Sequence, residues 1–357
     1  MQPTSRHNRE IPLVAIDERP VGPGMRPFVI AEVAQAHDGS LGTAHAYVDA
    51  VAESGADAIK FQTHMASEES TRDEPFRVRF SKQDETRYAY WRRMEFTRAQ
   101  WKGLAEHARD RGLVFLSSPF SVKAVEMLWD LGVRAWKIGS GEFGSKGLLH
   151  AMGERGGTIL LSTGMSRMSE IEEGVEKIQS MGLPFAIFQC TSCYPTPLES
   201  VGINVMDELR SRFHCPVGLS DHSGSVFPGL YAMARGADLL EVHVTFDRRL
   251  FGPDVKASVT MDELTFLSEA GRSFHTLRSN PVDKDRMADE LEEMRGMFSK
   301  SVAPRRDLPS GTVLERHMLT LKKPGTGIPE TEIDRLEGRV LKRAVPADRL
   351  LCWDDVE

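Results

Sequence analysis

Two histidines in the second half of the chain could bind a divalent metal ion. His222 directly follows one apolar run, His243 lies in the next, and the intervening Val226–Arg235 predicts a short helix. This pattern is typical of a β-α-β unit, whose two strands are parallel and end at the same edge of a sheet. The two imidazoles, with Asp221 and Glu241 beside them, could therefore hold a metal that keeps open positions for substrate. The alternative is that one imidazole is a hydrogen-bonded core group and the other lies at the surface.

Two lysines could bind an anion. Lys60 and Lys137 lie inside runs that are otherwise apolar. A buried ammonium group is costly unless it is paired, so each lysine is expected to meet a negative charge. That charge could be internal, on Glu32 or Glu142, or it could belong to a bound molecule. Hydroxyl groups end several other runs, and with the lysines they predict a cradle for a phosphate and a carboxylate on one small molecule. These hydroxyl residues are Ser118, Ser140, Ser162 and Ser220.

The remaining groups that could do chemistry are three carboxyls and a pair of cysteines. Glu32, Glu142 and Asp254 are candidate acids or bases, and their combination with a metal and an anion cradle favours an enzyme. Cys190 and Cys193 have C-x-x-C spacing, but no second pair or histidine cluster follows them. Reduced, partly buried thiols are therefore favoured over a redox or zinc site.

The elements that carry these groups alternate regularly. Eight apolar runs alternate with helical patterns over a span close to the about 250 residues of a (β/α)8 barrel. A doubly wound nucleotide-binding sheet is disfavoured because the chain has no G-x-G-x-x-G or Walker sequence. In a barrel, side chains that follow the strands meet on one face, so the candidates above are expected to share a site. The predicted strands are Phe28–Val33, Ala58–Thr63, Val114–Ser118, Ala135–Ser140, Thr158–Thr163, Phe185–Thr191, residues 216–222 and Leu239–Thr245.

The prediction for domain organisation has four parts. Residues 1–26 form an N-terminal arm, extended or acting as a flap on the substrate side, and residues 27–280 form the barrel. Residues 281–298 form a charged linker helix. Residues 299–357, with short apolar segments separated by Pro and Gly, form a small β-rich module. Within the barrel, the long polar and aromatic insertion Met65–Glu95 is expected to cover the active site.

Composition narrows the class of protein. The 357 residues include 45 Lys and Arg against 52 Asp and Glu, a net charge of −7 without a basic stripe, so a nucleic acid partner is not expected. No apolar run approaches the roughly 20 residues that span a bilayer, so no membrane partner is expected. The first ten residues are polar and lack the apolar segment of a signal peptide. A cytoplasmic location is therefore expected.

The order of short motifs resembles a known family. After Arg26 the motifs match, in order, those of the bacterial sialic acid synthases, the NeuB or SpsE family, and the tail from Ser301 to Gly327 is similar to their C-terminal antifreeze-like SAF domain. The matching segments are Ala31-Glu32, Ala36-His37-Asp38-Gly39, Lys60-Phe61-Gln62-Thr63, Ser118-Pro119-Phe120, Trp136-Lys137-Ile138-Gly139-Ser140-Gly141-Glu142, Leu161-Ser162-Thr163-Gly164-Met165, Cys190-Thr191-Ser192-Cys193-Tyr194-Pro195-Thr196, Gly218-Leu219-Ser220-Asp221-His222 and Gly252-Pro253-Asp254.

The resemblance implies a fold and a reaction. The expected fold is a (β/α)8 TIM barrel followed by a small β-clip SAF domain. The expected reaction is a condensation of phosphoenolpyruvate with an N-acylated amino-hexose of the N-acetylmannosamine type, which gives a nonulosonic acid and phosphate. The enzyme would be a carbon–carbon bond-forming transferase of carbohydrate biosynthesis.

The resemblance also implies roles for individual residues. His222 and His243 would bind Mn²⁺ or Mg²⁺, and Glu32 would manage the attacking water or the cationic carbon. Glu142 would act in catalysis and in sugar binding. The residues implied to hold phosphoenolpyruvate are Lys60, Ser118, Lys137, Ser140, Ser162, Ser192 and Ser220. The residues implied to contact the sugar are Gln62, Glu142, Tyr194, Asp254 and Lys323.

The implied assembly is a domain-swapped homodimer, in which the SAF domain of one subunit reaches over the barrel of its partner. That contact falls to Lys323, where the family commonly has Arg. Lys cannot reproduce the bidentate contact of a guanidinium group. Ser192 likewise stands where Asn is common, and Asp38 replaces the Asn of a His-Asn-Gly motif.

Two alternatives remain open at the level of the sequence. The first is a synthase or aldolase for another 3-deoxy-2-keto sugar acid, and a Schiff-base aldolase would use Lys60 or Lys137 as its nucleophile. The second is a non-catalytic carbohydrate-binding or scaffold protein that has kept the barrel.

Overall fold

The structure, a computed structural model, describes residues 11–76, 79–142 and 144–357. The first ten residues of the predicted N-terminal arm lie outside the described residues. Contacts divide the described chain into two units, one that ends at Ser279 and one from Asn280 to Glu357. Among the described residues, no helix is both long and apolar enough to cross a membrane.

The first unit confirms the predicted (β/α)8 barrel. Within the described residues, eight parallel strands follow one another in chain order, and the last pairs with both its predecessor and the first, which closes the sheet. A short ninth strand, β11 (Ser258–Thr260), pairs in parallel with the last residues of the eighth barrel strand, β10 (Leu239–Thr245). The barrel strands are β3 (Phe28–Ala34), β4 (Ala58–Thr63), β5 (Val114–Pro119), β6 (Ala135–Ile138), β7 (Thr158–Ser162), β8 (Phe185–Cys190), β9 (Val217–Asp221) and β10 (Leu239–Thr245), and β11 is Ser258–Thr260.

Helices surround the barrel and shield its outer face. Most of them begin after a strand, and the longer ones bury apolar side chains, as Trp101, Leu104 and Ala105 of α4 (Arg98–Asp110) show. Thr97 caps α4 reciprocally with Gln100, so that the first turn of the helix has its backbone donors satisfied. The helices of this unit are α1 (Leu41–Glu53), α2 (Ala66–Glu69), α3 (Arg87–Met94), α4 (Arg98–Asp110), α5 (Val122–Asp130), α6 (Lys146–Arg155), α7 (Met168–Ser180), α8 (Ile203–Phe213), α9 (Val226–Ala234) and α10 (Met261–Ser279).

The strands alternate between the helices outside and the lumen inside, and this alternation selects the site residues. In β10, Leu240 and Val242 pack in the outer core with the helices. Leu239 belongs to the separate inner core at the start of the strands. The same period of two places Glu241 and His243 inside the barrel. The inner side chains are therefore apolar where the strands begin and polar where they end.

The N-terminal segment differs from the predicted extended arm or substrate-side flap. Strands β1 (Val14–Ile16) and β2 (Arg19–Val21) form an antiparallel hairpin. Their buried side chains join the inner core formed by the first residues of the barrel strands. The Thr158 hydroxyl at the start of β7 donates a hydrogen bond of 2.5 Å to the Ala15 carbonyl. The hairpin therefore closes the end of the barrel opposite the strand C-termini, because its alternating apolar residues fill the lumen there.

The second unit is small and β-rich, as predicted. Two helical segments, α11 (Lys284–Glu290) and α12 (Glu292–Phe298), replace the single predicted linker helix in the described chain. They are separated at Leu291, whose backbone leaves the α-helical region. Strands β12 (Ser301–Pro304) and β13 (Leu319–Lys322) form an antiparallel pair over a separate apolar core. The apolar segment 312–314 forms an isolated bridge between Val313 and Val340.

Candidate active site

A cleft of about 890 Å³ opens at the C-terminal ends of the barrel strands. This volume lies at the upper end of the range for small-molecule sites. The structure brings together at this cleft every predicted site residue of the barrel. They are Glu32, Lys60, Gln62, Ser118, Lys137, Ser140, Glu142, Ser162, Ser192, Tyr194, Ser220, His222, His243 and Asp254.

The floor of the cleft contains a buried cluster of alternating charges. Lys137 Nζ lies 3.2 Å from Glu241 Oε1, and Lys60 Nζ lies 3.8 Å from Glu241 Oε2. Lys60 also forms an ion pair with Glu32. All four side chains are at least 96% buried. The lysines therefore have internal partners, Glu241 in both cases, and the predicted partner Glu142 is not among the ion pairs of the described residues.

Hydroxyl groups complete the cluster. Lys60 Nζ donates to Ser118 Oγ at 3.3 Å, and Lys137 Nζ donates to Ser162 Oγ. Ser220 Oγ donates to Glu241 Oε1 at 3.0 Å. Each of these serines occupies an inward position near the end of its strand, next to a lysine or glutamate of another strand. The result is a dense set of ammonium and hydroxyl donors of the kind that binds phosphate and carboxylate groups.

Burial and charge give the two glutamates different pKa values. Although burial disfavours its ionised form, Lys137 and Lys60 lower the pKa of Glu241 to about 2. Burial raises the pKa of Glu32 to about 7, against the opposing effect of Lys60. Glu241 is thus a permanent anion that holds the lysines charged, whereas Glu32 can gain or lose a proton near neutral pH.

Two loops bring further polar groups over the cluster. Ser140 Oγ accepts a hydrogen bond of 2.9 Å from the backbone N–H of Gly164 and lies 3.9 Å from Cys190 Sγ. A Cβ atom at Gly164 would lie only 2.8 Å from each of these two atoms and still closer to Ser192 Oγ. Glycine is needed at position 164 because three polar side chains from neighbouring strands converge on it.

The two histidines meet as the sequence predicts. The ring centres of His222 and His243 are 5.2 Å apart, and both side chains are buried. His222 Nδ1 donates to the Thr191 carbonyl at 3.2 Å, which leaves Nε2 with a lone pair that faces the hydroxyl of Tyr194 at 3.2 Å. Burial lowers the pKa of His222 to about 4 and places that of His243 well below its usual value.

These features fit a divalent metal with two protein ligands. Neutral imidazoles are the form that binds metals, and a backbone carbonyl that accepts from the opposite ring nitrogen commonly fixes the orientation of such a ligand. In the described part of the chain, no group of three or more His, Cys, Asp and Glu side chains is arranged to hold a metal. The histidine pair therefore leaves most coordination positions to other ligands. Asp221 does not contribute, because its carboxylate accepts from the backbone and hydroxyl of Ser223.

The outer part of the cleft carries the residues implied to contact a sugar. Gln62 follows Lys60 on the inner face of β4, and the Tyr194 ring lies 4.3 Å from the His222 ring, at a tilt of 34°. Glu142 lies in a 3-10 turn after β6, and burial together with the charge of Glu69 raises its pKa. Asp254 lies at the start of another 3-10 turn in the loop after β10.

Lys323 is the one predicted site residue outside the barrel. It follows β13 in the second unit, where its Nζ lies 4.9 Å from the centre of the Phe298 ring. Its role towards a sugar stays a prediction.

The structure adds residues that the sequence analysis left without a role. Glu241 was named only as a neighbour of the metal, yet it joins both lysines. The period-two alternation of β10, which puts Glu241 on the same face as His243, was the available signal.

The insertion between β4 and α4 lines the cleft, as predicted. The lining residues it contributes are His64, Glu68, Glu69, Glu74, Phe76, Phe80, Arg87, Tyr90 and Trp91.

Known proteins match the chain over nearly its whole length. The NeuB family model matches residues 47–282, and the SAF domain model matches residues 299–357. The N,N'-diacetyllegionaminic acid synthase of Legionella pneumophila is 30% identical over 347 residues, which cover 95% of this chain and 97% of that protein. The N-acetylneuraminate-9-phosphate synthase of Homo sapiens is 31% identical over 340 residues, which cover 94% of each.

A solved structure leads to the same family. The crystal structure of N-acetylneuraminic acid (sialic acid) synthetase from Leptospira borgpetersenii in complex with citrate matches with a TM-score of 0.70 and 27% sequence identity. The match covers 82% of this chain and 99% of that one. From its barrel motifs to its C-terminal SAF domain, the chain belongs to the NeuB family.

Proposed function

We propose that this protein condenses phosphoenolpyruvate with an N-acylated amino-hexose and forms a nonulosonic acid and phosphate. The observation that carries the proposal is the buried cluster in which Lys60 and Lys137 share Glu241 at the floor of the cleft. Its relatives are named as synthases of legionaminic and neuraminic acids, which are acids of this class.

The cluster suits a donor with two anionic groups. Two lysines and two glutamates carry a net charge between zero and one positive charge, depending on the proton of Glu32. A phosphate and a carboxylate arriving above the lysines favour protonation of Glu32, which leaves a positive pocket. The hydroxyls of Ser118, Ser162 and Ser220 lie beside the lysines, and those of Ser140 and Ser192 line the same cleft. We assign these groups to phosphoenolpyruvate.

The bonds change as follows in the proposed reaction. The C2–C3 π electrons of phosphoenolpyruvate form a bond to the aldehyde carbon, and the aldehyde oxygen takes up a proton. A water molecule adds to the cationic C2 and loses a proton. The C2–O bond to phosphate then breaks while the new hydroxyl group on C2 gives up its proton, so that phosphate leaves and C2 becomes the ketone of the product. Glu32 is the group placed to exchange a proton near this carbon, because burial raises its pKa to about 7.

A divalent cation, Mn²⁺ or Mg²⁺, belongs to the proposal. His222 and His243 would hold it, and when bound it would supply Lewis-acid polarisation of a substrate oxygen. The chain's contribution is to keep both imidazoles neutral by burial and to fix the ring of His222 through Thr191.

The acceptor is proposed to occupy the outer part of the cleft. There Gln62, Glu142, Tyr194 and Asp254 would orient its hydroxyl and carbonyl groups. The N-acyl group would meet Lys323 of a second subunit in a domain-swapped homodimer, and the cytoplasmic location is also part of this proposal. Relatives act on different sugars, so the pattern of N-acyl groups is left to experiment.

The charge cluster argues against a Schiff-base aldolase. A lysine nucleophile needs a lowered pKa so that it is neutral and reactive. Burial opposes the charge of Lys60, but Glu241 and Glu32 outweigh it and raise the pKa of this lysine. Lys137 forms its own ion pair with Glu241. Borohydride in the presence of pyruvate is therefore expected to leave both lysines unmodified.

The direct test is product formation. The purified protein is incubated with phosphoenolpyruvate, Mn²⁺ and a panel of mannosamine-type and di-acetamido hexoses, and the products are identified by mass. We expect a nonulosonic acid with at least one sugar. Absence of any condensed product across the panel, with folded and metal-loaded protein, would contradict the proposal.

A further inference from the structure

A histidine outside the family motifs quoted above is held rigidly at the wall of the cleft. His64 directly follows β4, and its ring is sandwiched between two aromatic rings from separate segments. Trp91 stacks on it at 3.9 Å with an interplanar angle of 18°, and Phe120 stacks at 4.3 Å with an angle of 11°. His64 is 94% buried. The sandwich fixes the plane of the imidazole and so fixes the directions in which its two nitrogens point.

Those two nitrogens join a chain of polar side chains. Nδ1 of His64 lies 2.6 Å from Glu69 Oε1, and Nε2 lies 3.2 Å from Gln62 Oε1. Gln62 Oε1 accepts a second hydrogen bond of 3.2 Å from Gln35 Nε2. Both nitrogens, His64 Nε2 and Gln35 Nε2, approach the same end of the Gln62 amide. Within the described residues no hydrogen bond is formed by Gln62 Nε2, although Gln62 lines the cleft.

We infer that His64 is a positioning residue that sets which end of the Gln62 side-chain amide faces the acceptor substrate. With its oxygen engaged by His64 and Gln35, Gln62 presents its NH₂ group to the cleft as a hydrogen-bond donor. The inference rests on the proposed function, in which Gln62 contacts the amino-hexose. It makes the site selective for an acceptor oxygen at that point.

Because the Glu69 carboxylate accepts from Nδ1 of His64, Nε2 also carries a hydrogen only in the imidazolium form of the ring, which the 2.6 Å contact with Glu69 pairs with a carboxylate. In this form His64 fixes the amide orientation, because a reversed Gln62 amide has no favourable partner. Reversal would bring the NH₂ of Gln62 against Nε2 of His64 and against the NH₂ of Gln35. Two donors cannot satisfy each other, so the reversed state loses both hydrogen bonds. Glu69 supports the observed state, since its carboxylate accepts from Nδ1 and holds the ring in place. Gln35 alone is a weaker constraint, because its own amide can reverse together with that of Gln62.

Two substitutions separate the hydrogen bond from the aromatic stack. His64→Phe keeps an aromatic ring between Trp91 and Phe120 but removes the donor to Gln62. His64→Gln keeps an N–H donor near the position of Nε2 but removes the stack. If His64 acts through Gln62, His64→Phe is expected to raise the KM for the amino-hexose about tenfold, the effect of one lost hydrogen bond. His64→Gln is expected to remain within about threefold of the wild type.

The experiment is a double-mutant cycle with Gln62→Ala, read out as KM for the sugar, KM for phosphoenolpyruvate and kcat. We expect the effect of His64→Phe on sugar KM to fall below about twofold in the Gln62→Ala background, with the KM for phosphoenolpyruvate unchanged within about twofold in all variants. An equal rise in sugar KM in both backgrounds, or a larger effect of His64→Gln than of His64→Phe, would overturn the positioning role. A wild-type protein that forms no condensed product with any of the sugars would overturn the proposed function and this inference with it. That result is distinct from an unchanged effect of His64→Phe in the double-mutant cycle.

Discussion

Glu241 Oε1 lies 3.2 Å from Lys137 Nζ, although β10 and β6 stand on opposite sides of the barrel. The other oxygen of the same carboxylate lies 3.8 Å from Lys60 Nζ. One buried anion thus holds two buried cations that a phosphate and a carboxylate could share. The predictions below follow from this arrangement and from the groups around it.

Replacing Glu241 by Gln is expected to destabilise the barrel by about 3 kcal/mol, because two buried ammonium groups lose their common partner. Urea unfolding measures the change. Inorganic phosphate is expected to stabilise the variant more than the wild type, since the freed lysines bind the anion. Glu290→Gln, which breaks an exposed ion pair with Arg286, is the matched control and is expected to change stability by less than about 0.5 kcal/mol. Equal stability of Glu241→Gln and the control would contradict a bridging role for Glu241.

Phosphoenolpyruvate binding is expected to be accompanied by proton uptake at Glu32. The pKa of this carboxyl is already raised to about 7, and a bound anion disfavours its charged form further, so the pKa rises and protons are taken up. At pH 7 the expected uptake is about half a proton. Calorimetry in buffers of different ionisation enthalpy measures it, and Glu32→Gln removes it while keeping the proton changes of the ligand itself. An identical proton count for wild type and Glu32→Gln would show that Glu32 does not titrate with binding.

Gly164→Ala is expected to raise the KM for phosphoenolpyruvate by about tenfold or more. The added methyl group would collide with Ser192 Oγ and press on Ser140 and Cys190, so these loops must move away from the donor site. Gly103→Ala on α4 is the control, since a Cβ there meets nothing within 4 Å. Steady-state kinetics at varied phosphoenolpyruvate concentration measures the KM of both variants. Unchanged KM in Gly164→Ala would mean that these hydroxyls do not hold the donor.

His222→Ala and His243→Ala are each expected to weaken Mn²⁺ binding by at least about 100-fold, because each removes one of two protein ligands. Titration calorimetry with the metal alone gives this result without reference to activity. His150→Ala, at an exposed position on α6, is expected to bind Mn²⁺ as the wild type does. Wild-type affinity in either ligand variant would refute the assignment of the pair.

Much of this site could be predicted from the sequence because strand alternation is a local property. Lys60, Lys137 and His243 each interrupt an apolar run, and each proves to face the lumen at the end of its strand. The eight runs and their helices likewise predicted the barrel, since the period of the pattern changes visibly from strand to helix.

Contacts across the closed barrel could not be predicted in this way. The partner of Lys137 depends on which strand lies opposite β6, which only closure of the sheet decides. The hairpin of β1 and β2 could not be predicted for the same reason. Its three-residue strands gain their stability by filling the lumen of the closed barrel rather than from any sequence pattern of their own. His64 shows the limit most clearly, since its stacking partners Trp91 and Phe120 come from segments 27 and 56 residues away in the sequence.

The central claim is that the lysine cluster and the histidine pair together drive a condensation. The measurement that tests it most directly is phosphate release from phosphoenolpyruvate, followed alongside product formation in the presence and absence of sugar and Mn²⁺. We predict one phosphate released for each nonulosonic acid formed, only when sugar and metal are both present, and loss of both signals in Lys137→Ala. Phosphate release that proceeds equally without sugar, or product formed without phosphate, would contradict the account.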